Sequence, residues 1–396
     1  MKITDVTVTL FKWKGIPTTH YSPLSGKIGG ESDLGLVNIS TDEGIEGHAF
    51  LGSASQPASL DVQSLIKYLK PVLVGQNPLD RERLWQLLSQ LTRKAGIRVM
   101  GACDIALWDI AGKAMDQPVY NLLGGPVRPH IRLYANSWSG GMSTPDEYAA
   151  GAVEVVKSGF TAMKFDPFPG PWRPWVDHAE LEEAAAIVGA IREAVGPRVE
   201  LLVEVHRRLA PMNAIAVGKL IEKYRPYWFE EPVPAHNVAG LREVRDAVNI
   251  PIVTGEALYS KDEFRDICVE RAVDILNPDI CNVGGILEIT QIASMAEPFQ
   301  IAVSPHGWNS VAVGAAAAVQ ASAVMPNFLI YEYMVHVEPF SRDIMSQSFE
   351  VSDGYVELPT APGLGIDLDE TKFEKYTYKQ FPARNIRTVE DERKWH

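Results

Sequence analysis

The chain has 396 residues, 46% apolar and 22% charged, with a net charge of -13; that length exceeds one ordinary domain and supplies material for a large core. The acidic balance argues against a nucleic-acid or anionic-membrane partner, since both attract clustered Lys and Arg, so an anionic ligand would need local positive charge from a metal or a few placed bases. Cys103, Cys268 and Cys281 lack any paired zinc-type spacing and read as core residues in a reducing compartment; with no signal-peptide pattern and no apolar run of membrane length, the expected location is the cytoplasm.

The first part reads as a small α+β unit. Residues 2–11 and 35–40 have the character of strands, and the turn Asp42-Glu43-Gly44 leading into Glu46-Gly47-His48-Ala49-Phe50 predicts a hairpin. Helical periodicity follows at Leu60, Leu65, Ile66 and Leu69, then at Leu84, Leu87, Leu88 and Leu91, then at Ile105, Ala106, Asp109 and Ile110. Pro118 and Gly124-Gly125-Pro126 end this unit, giving a boundary at residue 126. Short β-rich runs then alternate with helical stretches. The runs are 131–136, 161–166, 199–206, 227–231, 251–256, 275–279, 301–306 and 328–333, and helices are predicted over 179–195, 214–224, 241–248, 287–296 and 310–324. Eight such runs within 127–360 fit a parallel (β/α)₈ barrel of the TIM type better than an open sheet, although the alternation is also compatible with a doubly wound fold. Residues 361–396, with Gly363-Leu364-Gly365-Ile366 and a charged tail, follow the barrel and are expected to pack back on the N-terminal unit, which spans 1–126.

In a barrel of this kind catalytic groups sit at the C-terminal ends of the strands, and those ends are strongly polar here. They supply Lys164 and Asp166, Glu204 and His206, Glu230 and Glu231, Glu256, Asp279, His306 and Glu332. Alternation along a strand would point Lys164 and Asp166 the same way, and likewise Glu204 and His206, with Phe165, Val203, Val205 and Phe229 facing the helices. Glu204, Glu230 and Glu256 on consecutive strands would repel one another without a cation between them. Hard oxygen ligands suit Mg²⁺, one per site, with coordination positions left for water and substrate.

These motifs resemble the mandelate racemase branch of the enolase superfamily, especially its sugar-acid dehydratases of the galactonate and mannonate type. The resemblance covers essentially the whole chain. It rests on Asp104-Ile-Ala-Leu-Trp-Asp-Ile-Ala-Gly-Lys113, Trp228-Phe-Glu-Glu-Pro232, Asn277-Pro-Asp-Ile-Cys-Asn-Val-Gly-Gly285, Ser304-Pro-His306 and Pro362-Gly-Leu-Gly365 in this order. It implies a capping domain whose loops, here around His20-Tyr21 and Leu51-Gly52-Ser53, close over the barrel, and a homo-oligomer, dimer or octamer. By position it implies that Glu204, Glu230 and Glu256 hold the metal, that Asp279 orients His306 as the base, and that Glu332 hydrogen-bonds the substrate carboxylate. His206, in Glu204-Val205-His206 followed by Arg207-Arg208, is similar to the histidine that serves as general acid. The implied reaction removes the C2 proton of an aldonate-type sugar acid through a metal-stabilised enediolate and eliminates the C3 hydroxyl, giving a 2-keto-3-deoxy acid.

Two positions depart from the pattern. The first ligand is Glu204 where this branch usually has Asp, and strand two carries Asp166 where a Lys-x-Lys pair would supply a second base. The second departure weakens a racemase or epimerase reading, which stays the alternative together with a barrel that performs no turnover. No lysine occurs from residue 263 to 371, which disfavours muconate-lactonising chemistry and enolase itself. Blander roles are open for several residues: His306 as a core histidine, Lys164 in a salt bridge with Asp166, Asp166 as charge compensation, Arg207 and Arg208 in pairs with nearby carboxylates. Arg207 could also reach a substrate hydroxyl. His48, His236 and Trp308 are rim candidates outside the catalytic set, and Cys281 is expected to pack.

Overall fold

The computed structural model describes residues 1–14, 31–52, 58–168, 173–307 and 310–379. His20, Tyr21, Ser53 and Trp308 lie outside the described residues. The N-terminal unit is built on an antiparallel sheet of β1 (Ile3–Lys14), β2 (Glu31–Thr41) and β3 (Glu46–Leu51) in that order. The predicted hairpin turn is closed by Thr41, whose Oγ1 donates to the Ile45 carbonyl at 2.9 Å and accepts from its N–H at 3.1 Å. The helices that follow are α1 (Ala58–Ser64), α2 (Lys70–Leu73), α3 (Arg81–Ser89), α4 (Thr92–Ala95), α5 (Ile97–Ala114) and α6 (Val119–Leu122); α1, α2 and α5 pack against the sheet, and α3, α4 and α6 pack on α5. Of the first periodic set, Leu65 and Leu69 are buried while Leu60 and Ile66 are exposed, and a π turn over Leu65–Leu69 interrupts the helix there.

Helix α5 is buried on all sides from Val99 to Gly112, and its two aspartates dock it onto other parts of the chain. Asp109 accepts from the Leu364 N–H (3.0 Å), the His48 N–H (3.2 Å) and Lys113 Nζ (2.7 Å). Asp104 accepts from the Leu287 N–H at 3.0 Å, at the start of a barrel helix. That approach requires glycine at 285, where φ is +93° and a Cβ would stand 2.5 Å from Asp104 Oδ2.

The barrel strands are β4 (His130–Asn136), β5 (Ala162–Phe165), β6 (Glu200–Glu204), β7 (Trp228–Glu230), β8 (Ile252–Thr254), β9 (Ile275–Leu276), β10 (Ala302–Val303) and β11 (Tyr331–Met334). From β4 to β10 neighbours pair in parallel in chain order, and β11 returns to pair in parallel with β4. Between β10 and β11 there is no continuous ladder. That seam is crossed by a single bridge, Val303 to Phe328, and by hydrogen bonds from Val303 N to Asn327 O (2.8 Å), Leu329 N to Val303 O (2.8 Å) and Glu332 N to Pro305 O (3.3 Å). The strands feed, in turn, α7 (Pro145–Lys157), α8 (His178–Val195), α9 (Pro211–Ile221), α10 (Val238–Ala247), α11 (Lys261–Val269), α12 (Ile286–Ala296), α13 (Val313–Val324) and α14 (Glu338–Ile344).

Local chemistry sets where these helices start. Thr144 with Glu147, Asp177 with Glu180 and Ser260 with Glu263 form reciprocal capping boxes, and Pro211 opens α9. Helix α13 is apolar nearly all round and buried from Val313 to Ala323, so it belongs to the core. Inside the barrel Tyr134, Ala162, Leu202, Trp228, Val253, Ile275 and Ile330 form their own cluster, while the alternate residues Phe165, Val203 and Phe229 pack outward.

The strands are shorter than the sequence runs suggest, and the correction matters at the exits. Asp166, His206, Glu256, Asp279 and His306 lie beyond the last ladder residue of their strands. Strand alternation therefore does not orient them, and at His206 and Arg207 the backbone turns left-handed, with φ of +53° and +56°. After the barrel, β12 (Met345–Gln347) pairs with a later strand, β15 (Asp367–Leu368); between them β13 (Val351–Ser352) pairs with β14 (Tyr355–Glu357), which runs antiparallel to the start of β4. The last described turn returns to the N-terminal sheet: Lys12 N donates to Tyr376 O at 3.0 Å, and the Phe373 ring lies 4.8 Å from Phe11 and 6.4 Å from Phe50. Each such aromatic pair contributes about 0.5–1.5 kcal/mol beyond its buried area.

The Asp104 carboxyl is pushed up to about 7, chiefly by burial, with the Leu287 and Ile286 N–H groups and Arg81 pulling the other way. A raised acid holds its proton more tightly in the folded chain than in the unfolded one. Its stabilising contribution is therefore complete at acid pH and is lost as pH climbs toward 7. The Asp104→Asn variant should gain stability relative to the parent between about pH 5 and pH 8, read as a rising difference in urea midpoints; a difference that stays flat would contradict the assignment.

Candidate active site

The barrel mouth gathers the polar strand ends into one buried charged cluster. Residues Glu204 and Glu230 are register partners on β6 and β7, so parallel pairing sets their side chains next to each other. Ligand atoms of Glu204, Glu230 and Glu256 all lie within 4.8 Å of one another. Glu230 Oε1 accepts from Lys164 Nζ and Asn277 Nδ2, each at 2.8 Å, and its Oε2 accepts from Trp228 Nε1 at 2.8 Å. Glu204 Oε1 accepts from the His206 N–H at 2.6 Å, whereas its buried Oε2 has no hydrogen bond among the described residues, Lys164 Nζ standing 3.3 Å away.

Buried like charges leave their mark on proton affinity. Burial, and after it the neighbouring Glu204 charge, raises the Glu230 carboxyl well above its ordinary value. For Glu256 burial pulls the same way but is outweighed by His306 and Arg207, which hold it well below the usual range. An all-carboxylate donor set with one unsatisfied buried oxygen fits a hard divalent cation such as Mg²⁺, and members of the enolase superfamily use that ion.

Lys164 is the resident cation of the cluster. It is fully buried and lies 2.8 Å from Glu230 Oε1 and 2.8 Å from Glu332 Oε1. Burial alone would lower its pKa, yet Glu230 and Glu332 more than offset it, and the ammonium is held well above its ordinary value. The salt bridge to Asp166 weighed from the sequence is replaced by these glutamate contacts. Glu332 accepts in addition from Asn136 Nδ2 (2.5 Å) and the Gly307 N–H (2.6 Å). Burial, which would raise it, is outweighed by His306 and Lys164, so Glu332 stays ionised.

On one side of the mouth His306 Nδ1 meets Asp279 Oδ2 at 2.8 Å, the two residues joined by a parallel bridge. Its Nε2 lies 2.8 Å from Glu256 Oε2 and 3.3 Å from Glu332 Oε2. Across the mouth His206 Nδ1 meets Asp166 Oδ2 at 2.7 Å. Arg207 Nη1 donates to Glu231 Oε2 at 2.6 Å and also contacts Glu256, while Arg208 binds Asp166. Arg207 is thus spent on carboxylates in this structure.

All the site residues expected from the sequence come together here. Asn136, Asn277 and Trp228 had no role assigned from the sequence, and Glu231 was named only as a strand-end carboxylate, although Asn136 closes its strand run and Asn277 precedes Asp279 by one strand period. Those two positions were the available signal.

Comparison with known proteins places the chain. The family model for the mandelate racemase / muconate lactonizing enzyme N-terminal domain matches residues 13–124, and that for the enolase C-terminal domain-like region matches 147–372. A D-gluconate dehydratase of Thermoproteus tenax is 39% identical over 70% of this chain, which spans 56% of that protein's length. A D-xylonate dehydratase of Haloferax volcanii is 33% identical over 84% of this chain and 83% of its own. Among solved structures, a mandelate racemase/muconate lactonizing enzyme-like protein from Rubrobacter xylanophilus superposes with a TM-score of 0.84 at 29% identity, covering 96% of this chain and 98% of that one. The fold is that of the enolase superfamily. Within it, the chain belongs to the mandelate racemase/muconate lactonizing enzyme family.

Removing one partner of a buried ion pair leaves the other charge uncompensated, at a cost of about 3–5 kcal/mol. Lys164→Met should therefore lower the urea stability of the metal-free protein by that order, and added Mg²⁺ should recover part of the loss. An unchanged midpoint would show that Lys164 does not hold the cluster.

Proposed function

We propose that this chain is a Mg²⁺-dependent dehydratase of an aldonate-type sugar acid, a hydro-lyase producing a 2-keto-3-deoxy acid. The observation that carries this reading is the convergence of Glu204, Glu230 and Glu256 between two imidazoles, His306 and His206, on opposite sides of one barrel mouth. The names of its relatives, dehydratases of D-gluconate, D-xylonate and D-galactonate, support the substrate class.

A proton next to a carboxylate is hard to remove because the anion gains a second negative charge. One divalent cation held by Glu204, Glu230 and Glu256 would neutralise that charge, which is the largest electrostatic contribution such a site can offer. Lys164 adds a fixed positive charge beside Glu332 and orients the carboxylate end of the substrate. In its neutral form His306 takes the C2 proton on Nε2, the nitrogen that contacts Glu256 Oε2 at 2.8 Å in the resting site, while Asp279 holds Nδ1–H and so sets the tautomer in which Nε2 accepts. Hydroxide leaves poorly from C3 unless protonated, and His206 supplies that proton. The enol then tautomerises to the 2-keto acid.

Purified protein supplied with Mg²⁺ and a panel of C4 to C6 sugar acids should form a 2-keto acid that reacts with semicarbazide. Chelation should abolish turnover, Glu230→Gln should abolish Mg²⁺ binding in calorimetry, and His306→Asn should lower kcat by about 10²–10⁴-fold. Silence of the wild-type protein across the panel would refute the reading. Deuterium entering C2 in D₂O with no loss of water would instead indicate an epimerase.

A further inference from the structure

The two imidazoles are carried by arrangements of the same design. Asp279 follows β9 and His306 follows β10, the next strand; Asp166 follows β5 and His206 follows β6, again the next strand. In each pair one carboxylate oxygen accepts a backbone N–H two residues along, Cys281 N to Asp279 Oδ1 at 2.9 Å and Phe168 N to Asp166 Oδ1 at 2.8 Å. The other oxygen takes the histidine Nδ1, at 2.8 Å and 2.7 Å. Each strand of one pair lies four positions around the eight strands from its counterpart in the other, with two strands between the pairs on either side, so they face each other across the mouth.

The second pair carries more restraint than charge compensation needs. Arg208, buried, donates from Nε to Val205 O at 2.7 Å and from Nη1 to Phe168 O at 3.1 Å, and its Nη2 grips Asp166 Oδ2. Tyr148 Oη donates to the Asp166 carbonyl at 2.9 Å. His206 itself sits at φ +53° with Arg207 at +56°, a backbone costing about 1–3 kcal/mol per residue. Its N–H is tied to Glu204 Oε1 and the Arg207 N–H to Glu231 O, each at 2.6 Å. Such strain persists only where the surroundings over-determine it.

We infer that Asp166 is the positioning residue of a second Asp–His pair, fixing the His206 ring with Nδ1–H on the carboxylate and Nε2 aimed into the mouth, so that it serves the C3 leaving group and not the C2 proton. The inference rests on the dehydratase reading above. It gives Asp166 one function, acting through His206 and not on the substrate, and Arg208 the function of anchoring Asp166.

Two variants test it. Asp166→Asn keeps size and removes charge; Asp166→Glu keeps the charge opposite Arg208 but displaces the acceptor, so pure charge compensation tolerates Glu and positioning does not. In D₂O with a sugar acid the wild type turns over, both variants should still exchange the C2 hydrogen of recovered substrate within about twofold of wild type, while 2-keto acid formation falls about 10²–10⁴-fold. Adding either change to His206→Asn should cost nothing further. Calorimetric Mg²⁺ affinity should be unchanged, which separates positioning from damage to the carboxylate cluster. A substrate-independent readout is the Nδ1–H proton resonance of His206, assigned by its disappearance in His206→Asn and expected to be lost or shifted in both Asp166 variants. Full product formation by Asp166→Glu, equal loss of exchange and elimination, or an unmoved His206 resonance would each overturn the inference. Failure of the wild type on every sugar acid, with the resonance still dependent on Asp166, would refute the dehydratase reading and leave the pair standing.

Discussion

Crowding of like charge at the barrel mouth is the constraint around which this molecule is arranged. Parallel pairing sets Glu204 beside Glu230, and Glu256 and Glu332 close the ring of carboxylates. Two unit charges roughly 4 Å apart at a partly buried site interact by about 4 kcal/mol, so these groups stay ionised together only if cations are interleaved. Lys164 answers three of them, Arg207 and His306 answer Glu256, and one oxygen of Glu204 is left without a hydrogen bond. That oxygen, 3.3 Å from Lys164 Nζ, is where a divalent ion would add further positive charge. Asn136, Asn277 and the Trp228 indole then occupy further acceptor positions of Glu332 and Glu230, so each carboxylate is oriented as well as neutralised.

That cluster needs a rigid frame, and the frame explains a motif remote from the chemistry. The Asp104–Lys113 segment supplies no candidate site residue. Its helix instead reaches three places through backbone donors: Leu287 at the head of α12, His48 on β3 and Leu364 after the barrel. Helix α12 follows the turn that begins at Asp279, where Asn282 and Val283 both donate to the Asp279 carbonyl at 2.9 Å. Contacts in the N-terminal unit thus brace the loop that carries the orienting carboxylate of His306. Glycine at 285 is what lets the two backbones come that close.

Much of this was legible in the sequence because burial and chemistry impose separate patterns on a strand. Apolar residues of the barrel wall mark the strand bodies, and the charged residues ending each run mark the mouth, so the set of Glu204, Glu230, Glu256, Asp279, His306 and Glu332 could be named without coordinates. Partnerships were less legible. Alternation holds only inside a ladder, and the residues that matter lie just past short strands, where φ at His206, Arg207 and Glu231 turns positive. No local rule predicts a left-handed turn at His or Arg, since its cost is offset by contacts from other strands. The same reason hid the destination of Arg207, whose guanidinium could reach either a substrate or Glu231 and Glu256, and hid Asn136 and Asn277, whose amides matter only because charged oxygens face them.

Asp166 stands at the exit of β5, where the resemblance noted from the sequence would put a second lysine base. A second base at the exit of β5 is what two-base epimerisation requires. Here the side chain at that position accepts Phe168 N–H with one oxygen and the His206 and Arg208 donors with the other, so its lone pairs are already committed. Burial, which would raise its pKa, is outweighed by Arg208 and then His206, and the carboxyl is held below its ordinary value, a poor condition for taking a proton from carbon. A lysine in its place would stand against Arg208 and His206, and the left-handed turn that carries them would lose its counter-charge. Asp166, Arg208 and the turn at His206 therefore form one unit, and a lysine at position 166 would require the exit of β6 to be rebuilt with it.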